Sequence, residues 1–270
     1  MTQTLTKIKT LLARQGLRPK HWLGQHFLHD ANKIRQIIEA AAIRPGDRVL
    51  EVGAGTGTLS EEILAAGANL ISVEVDLELK PILTARLLPF SRRCTFLFAD
   101  VLAGKNALNE DLLALLADGP YKLVANLPYQ VASPLLVNLA VSGTGLTDAV
   151  VMVQRDVANR LTSPPGRSTY GPLGVIVQAI FELKTVTTLP PGCFWPRPKV
   201  DSTVLHLSRH LEPLTDQPRQ LAVTVQRLFQ KRRKQIGGIL DTRSLPAGIA
   251  PTQRPEELSV RQLVELSGWE

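Results

Sequence analysis

The sequence predicts an α/β protein: a doubly wound sheet of seven strands followed by a small all-helical C-terminal domain. Three observations carry that expectation. From Asp47 to about Leu207 short apolar runs alternate with longer helical stretches, as in a largely parallel sheet covered by helices on both faces. A glycine-rich turn follows the first of those runs. Beyond Pro218 the apolar residues change to helical spacing.

The candidate strands, in chain order, are RVLEV (48–52), LISVEV (70–75), TFLFA (95–99), KLVAN (122–126), DAVVMV (148–153), ELKTVTTL (182–189) and STVLHL (202–207). The last two have no helix between them and enclose the proline-rich PPGCFWPRPK (190–199), so an antiparallel hairpin is expected. The turn-rich RHLEPLTDQP (209–218) marks a domain boundary. After it Leu221, Val225, Leu228 and Phe229 follow a helical period. Ser259 and Gln262 form a capping box, with Leu258 and Leu263 as its hydrophobic staple. The expected domains are a basic N-terminal arm at 1–29, a sheet domain at 30–208 and a helical domain at 209–270.

Composition bounds the partners. A chain of 270 residues, 44% apolar and 20% charged, is long enough for one large core and a smaller appendage. It has no apolar run of the roughly 18 residues a membrane span needs and no apolar signal centre, so a cytoplasmic protein without a membrane partner is expected. Cys94 and Cys193 make neither a disulfide framework nor a zinc spacing, and no metal is expected. The net charge of +7 is uneven. Lys7, Lys9, Arg14, Arg18 and Lys20 precede any acid, and QKRRKQ spans 230–235. Such clusters suit a polyanionic partner, although a solvated surface, or for the N-terminus a transit peptide, has similar composition.

VLEVGAGTGTLS (49–60) reads as strand, glycine turn and helix, with Gly53, Gly55 and Gly57 letting a ligand approach the backbone. A dinucleotide fingerprint wants glycine at Thr58, and Glu61 and Glu62 would repel a pyrophosphate at that helix start. A nucleoside cofactor without phosphates fits better, and S-adenosylmethionine is the common one. Glu74 ends the second strand, where it can accept hydrogen bonds from ribose hydroxyls. Asp100 follows the third, where it can accept from the cofactor's adenine amino group. Either acid alone also serves as an ordinary helix cap.

VANLPYQVASPLL (124–136) puts polar and aromatic groups at the end of the fourth strand. An adenine amino nitrogen is a poor nucleophile, because its lone pair is delocalised into the ring. Methylating it requires acceptors for its hydrogens so that the nitrogen can pyramidalise. The Asn126 side-chain oxygen and the Leu127 carbonyl can supply them, Pro128 stiffens the turn, and Tyr129 offers a face for a flipped base. An Asx-type turn followed by a packed tyrosine would look the same in isolation.

With LGQHFL (23–28), QRDVANRL (154–161), YGPLGV (170–175), FWPRPKVDS (194–202) and FQKRRKQ (229–235), the chain resembles the KsgA/RsmA family of ribosomal-RNA adenine dimethyltransferases from about Lys20 to Leu240. The resemblance implies a Rossmann-like methyltransferase sheet that uses S-adenosylmethionine. Its substrate would be adenine in small-subunit ribosomal RNA within an assembling particle, modified by a monomer. It places Gln25, and the backbone around His26 and Leu28, near the methionine end of the cofactor, and Phe194 on the target base opposite Tyr129. Arg232, Arg233, Lys234 and the N-terminal arm would hold RNA phosphates. This chain departs from the family pattern at His26, usually asparagine, and at Gln235, Gly237 and Gly238, usually threonine and an arginine-asparagine pair. Two glycines cost a helix about 2 kcal/mol relative to alanine, so the basic helix is expected to end or kink there. Two rivals remain: a large-subunit RNA methyltransferase conferring antibiotic resistance, which PKVDS and QKRRK disfavour, and a ribosome-assembly factor without catalysis. A nicotinamide dehydrogenase fits worst, given Thr58.

Overall fold

Alternating burial explains the sheet. In the computed structural model, which describes residues 3–104, 107–240 and 245–269, β2 (Arg48–Val52) sends Val49 to one hydrophobic cluster and Leu50 and Val52 to another. β5 (Tyr121–Asn126) splits Val124 from Leu123 and Ala125 in the same way. Successive side chains of a strand point to opposite faces, so both faces of this sheet are core.

The remaining sheet strands are β3 (Asn69–Val73), β4 (Cys94–Leu97), β6 (Leu146–Gln154), β7 (Phe181–Leu189) and β9 (Ser202–Arg209). Their order is β4-β3-β2-β5-β6-β9-β7, with β9 antiparallel to both β6 and β7. The seven expected strands are all present, and the last two pair as expected, with β9 inserted between β6 and β7. Chain order reverses between β2 and β5, which makes a crevice at their carboxyl ends.

One face carries α1 (Leu5–Arg14), α2 (Ala31–Ala41), α3 (Thr58–Ala65) and α4 (Lys80–Leu87), which bury Ile8, Ile34, Ile63 and Leu83. The other carries α5 (Glu110–Leu116), α6 (Ala132–Ser142), α7 (Arg155–Leu161) and α8 (Pro172–Ile180). The sequence did not signal β1 (Phe27–Leu28) and β8 (Phe194–Trp195), which pair antiparallel. Two-residue strands have no periodicity to read. Their ribbon ties the segment before α2 to the proline-rich connection.

Beyond β9 stand α9 (Pro218–Gln230) and α10 (Val260–Trp269). The capping box forms, with Ser259 N–H donating to Gln262 Oε1 at 2.9 Å and Gln262 N–H to Ser259 Oγ at 3.2 Å. Leu258 and Leu263 are both fully buried beside it. These helices share their core with α8, which turns Ile176 and Ile180 to the sheet and Val175 and Ala179 to Leu221, Val225 and Leu263. Tyr170 Oη donates to the Leu258 carbonyl at 2.9 Å and fastens the two parts. No helix among the described residues is long and apolar enough to cross a membrane.

Gly174 sets how closely α7 and α8 approach. A Cβ there would lie 2.5 Å from the Arg160 carbonyl oxygen, too close for either backbone to stay in place. Gly174→Ala should therefore lower stability by about 1–3 kcal/mol. The urea midpoint measures it, and an unchanged midpoint would mean that the helices part without cost.

Candidate active site

The glycine turn after β2 is shaped by protein as well as by room for a ligand. Gly53, Gly55 and Gly57 have φ of 80°, 60° and 77°, a left-handed region disfavoured for other residues. A Cβ on Gly53 would stand 3.1 Å from the Pro128 ring, and one on Gly55 3.2 Å from the Phe27 ring. The turn is thus pressed between the end of β5 and the segment that precedes α2. Thr58, in the third-glycine position, donates its hydroxyl to Gln3 Oε1 at 3.0 Å, and Thr56 does so at 2.8 Å. Glu61 pairs with Arg86. The hydroxyls at the start of α3 and its first acid thus have protein partners.

Glu74 leaves the end of β3 and is 5% exposed. Its Oε2 accepts the Gly55 N–H at 2.8 Å and its Oε1 the Asp76 N–H at 2.9 Å. Burial pushes its carboxyl above the ordinary carboxylate range, against those two donors. Each oxygen retains a second lone pair, so the group can still accept from a ribose. Asp76 in turn accepts from Lys20 Nζ at 2.6 Å and Gln25 Nε2 at 2.7 Å. The Gln25 amide, expected near the methionine end, borders the cavity while donating to Asp76 and accepting the Lys20 N–H at 2.9 Å. Asp100 is exposed and accepts the Leu102 N–H at 3.0 Å through one oxygen, so it caps its own turn and still lines the cavity.

At the end of β5, Asn126 donates Nδ2–H to the His26 carbonyl at 3.0 Å. A carbonyl only accepts, so this bond fixes which end of the amide is which. Leu127 N–H is taken by the Met152 carbonyl at 3.1 Å, and the Pro128 carbonyl receives Val131 and Ala132 N–H groups at the start of α6. Tyr129 lies with its hydroxyl 3.2 Å from Ser202 Oγ and its ring 5.4 Å from that of His26. Burial raises its phenol pKa. The His26 ring donates Nδ1–H to the Pro196 carbonyl at 2.7 Å. The backbone of His26 and Leu28, Gly53, Gly55, Glu74, Asp100 and Asn126 to Tyr129 all border one cavity.

Phe194 does not join them. It is 2% exposed, packed in the core against the sheet, and absent from the cavity wall. It pairs with Leu28 across the β1–β8 ribbon, whereas Tyr129, expected opposite it, borders the cavity. Trp195, its neighbour, is the half-buried ring of the ribbon and stacks near Phe27 at 6.4 Å.

The basic helix ends earlier than the glycines suggested. α9 ends at Gln230, ahead of the arginines and of Gly237 and Gly238, because Lys231 leaves helical geometry. Arg232 pairs with Glu256 and donates to the Ser168 and Arg167 carbonyls, both at 2.9 Å. It clamps the turn to two neighbouring loops. Arg233 and Lys234 are exposed.

Sequence reasoning passed over Glu51, although an acid inside the apolar run RVLEV was a signal. It is 1% exposed, borders the cavity, and accepts from the Ser60 hydroxyl. Its carboxyl is pushed up to about 8 by burial, opposed by the Ser60 hydrogen bond and assisted by the Glu74 charge. Among the described residues no group of three or more His, Cys, Asp or Glu is placed to hold a metal ion.

A raised folded-state pKa means that the native state keeps a proton the unfolded chain has lost. Stability should therefore fall as pH rises from about 4.5 to about 8, the interval between the ordinary value and the shifted one. Glu51→Gln should flatten that fall, leaving a smaller slope of the same sign from Glu74. Denaturant midpoints across this range check it, and parallel curves for variant and wild type would place the ionisation elsewhere.

The residues of this cavity fit a nucleoside cofactor: glycine backbone and two acids at strand ends, placed to accept from hydroxyl and amino groups. Comparison with known proteins agrees. Residues 16–257 match the family model for ribosomal RNA adenine dimethylase. A ribosomal RNA small subunit methyltransferase A from Opitutus terrae is 40% identical, covering 96% of this chain and 95% of the relative. That of Thermotoga maritima is 35% identical, covering 96% and 88%. A dimethyladenosine transferase from Plasmodium falciparum superposes with a TM-score of 0.72 at 21% identity, covering 89% of this chain and 96% of that one. The 23S rRNA methyltransferase ErmE does so with 0.65 at 24%, covering 90% and 98%, and both structures share the fold. From a glycine turn shaped for a nucleoside, an oriented amide at the end of β5 and these full-length relatives, it follows that the chain belongs to the ribosomal RNA adenine dimethylase family.

Proposed function

We propose that the protein transfers methyl groups from S-adenosylmethionine to the exocyclic amino group of adenine in small-subunit ribosomal RNA, twice per base, working as a monomer on an assembling particle in the cytoplasm. The observation that carries this reading is the Asn126 amide. Because the His26 carbonyl holds its donor end, its oxygen is the end left for the cavity.

S-adenosylmethionine supplies an electrophilic methyl group on a sulfonium. Glu74 would hold its ribose, Asp100 its adenine, and the backbone of Gly53, Gly55, His26 and Leu28 would wrap the rest. The chain's own task is to prepare the amino nitrogen. Asn126 Oδ1 and the Leu127 carbonyl accept its two hydrogens, which draws the lone pair out of ring conjugation. Pro128 keeps the turn rigid, and Tyr129, anchored to Ser202, supports the base by its face. No strong base is required, because the protonated product amine loses its proton to water. Positioning and exclusion of water carry the catalysis.

The domain division that suits this reading puts the arm at 1–29, the transfer chemistry at 30–208 and RNA binding at 209–270. Exposed Arg233 and Lys234 would meet phosphates, with Arg232 holding their turn in place.

Purified protein with labelled cofactor should place dimethyladenine in small-subunit RNA of particles from a strain lacking the enzyme. Label mainly in large-subunit RNA, or monomethyladenine alone at saturating cofactor, would refute the assignment. Asn126→Ala should lower kcat by about 10²–10³-fold with particle affinity and its salt dependence nearly unchanged. The Arg233→Ala, Lys234→Ala pair should do the reverse, reducing the slope of log K against log salt by up to about 0.9 for each duplex phosphate left without its cation. Glu74→Gln should weaken S-adenosylmethionine binding by about 2–3 kcal/mol in a calorimetric titration. Unaltered affinity in a folded variant would move the ribose elsewhere.

A further inference from the structure

Trp22 is 70% exposed, yet it stands on one of the most firmly held turns of the arm. The tight helical turn His21–Leu23 is closed by Leu23 N–H on the Lys20 carbonyl at 3.1 Å and Gly24 N–H on the His21 carbonyl at 3.0 Å. Its root is held by the Lys20 ammonium, 2.6 Å from Asp76 and 2.8 Å from Glu78, and by the Gln25 amide on the Lys20 N–H. An indole fixed by its backbone and free at its faces loses little entropy when something stacks on it. Among the described residues no ring or cation lies against either face.

Its position says what would stack there. Gly24, two residues on, adopts φ of 66°, and a Cβ built on it would sit 3.7 Å from the Tyr129 backbone nitrogen. Leu23 and Gly24 are part of the cavity wall. The turn carrying Trp22 therefore leans on the turn that would receive the target base. Exposed Arg18 and His21 flank it. The loop bearing exposed Arg197 and Lys199 is tied to the same arm four residues further on, where the His26 ring holds the Pro196 carbonyl. Aromatic faces set among cations are the usual surface for unpaired nucleotides, with stacking for the bases and charge for the phosphates. A lone exposed aromatic elsewhere on the surface would carry no such meaning.

We propose that Trp22 is a stacking platform for an unpaired nucleobase flanking the target adenine, with Arg18 and the Arg197–Lys199 loop on the neighbouring phosphates. Flipping a base from its stack leaves a neighbour with an uncovered face, and an indole beside the entrance covers it. This rests on the adenine-methylation reading and adds the subsite that would hold the strand while one base is withdrawn.

Two measurements test it. In methyl transfer to small-subunit particles, Trp22→Ala should raise KM for the particle about tenfold, with a much smaller change in kcat and the same calorimetric affinity for S-adenosylmethionine. Trp22→Phe should recover most of the loss, and the salt slope should not move, because a stacked base releases no counterions. A wild-type KM in Trp22→Ala, a shrunken salt slope, or a loss explained by weaker cofactor binding would overturn the proposal. Independently of turnover, decaadenylate should quench part of the tryptophan fluorescence of the wild-type protein and not of Trp22→Phe. Equal quenching in both would also overturn it. If the wild-type protein transferred no methyl group to adenine while that Trp22-dependent quenching persisted, the activity reading alone would fall.

Discussion

An amide has a donor end and an acceptor end, and the bond from Asn126 Nδ2 to the His26 carbonyl decides which is presented to the cavity. Much of the N-terminal segment serves to keep that carbonyl in place. The β1–β8 ribbon fastens Phe27 and Leu28 just after it, the His26 ring is tied to Pro196, and Phe27 rests on the glycine turn. Lys20 and Gln25 secure the other side through Asp76. Without these bonds the amide could rotate and turn its NH₂ end to the cavity instead.

The same bonds connect the acid at the end of β3 with the turn after β5. Glu74 holds the Gly55 and Asp76 amides, Asp76 holds the arm, and the arm holds Asn126. The cavity gathers three acids, Glu51 kept protonated by burial together with Glu74 and Asp100, and the buried ones rely on N–H and O–H donors to offset lost hydration. A phosphate would find these surroundings repulsive, whereas ribose hydroxyls and adenine N–H groups find acceptors. At the start of α3 the Thr56 and Thr58 hydroxyls are held by Gln3, and Glu61 is paired with Arg86.

The C-terminal helices are joined to the sheet unit through α8, whose two faces belong to two cores. Arg232 and Tyr170 lock the joint by hydrogen bonds to the Arg167, Ser168 and Leu258 carbonyls. A cationic run in the sequence thus divides by role: one arginine holds shape, while its neighbours remain at the surface.

Local pattern was enough for much of this protein. Strand period placed all seven sheet strands, turn chemistry placed the hairpin, and the capping box located α10, because these depend on neighbours a few residues apart. The order of GAGTG, Glu74, Asp100 and NLPY named residues that border one cavity at the strand ends, where a doubly wound sheet forms its crevice. Pairings distant in sequence were decided only by the tertiary structure. Phe194 turned into the core because a two-residue ribbon set its face, Gln25 went to Asp76, and Arg232 found partners 24 and 64 residues away. A residue type states which bonds a side chain can make; which of them it makes depends on which polar groups packing leaves within about 3 Å of it.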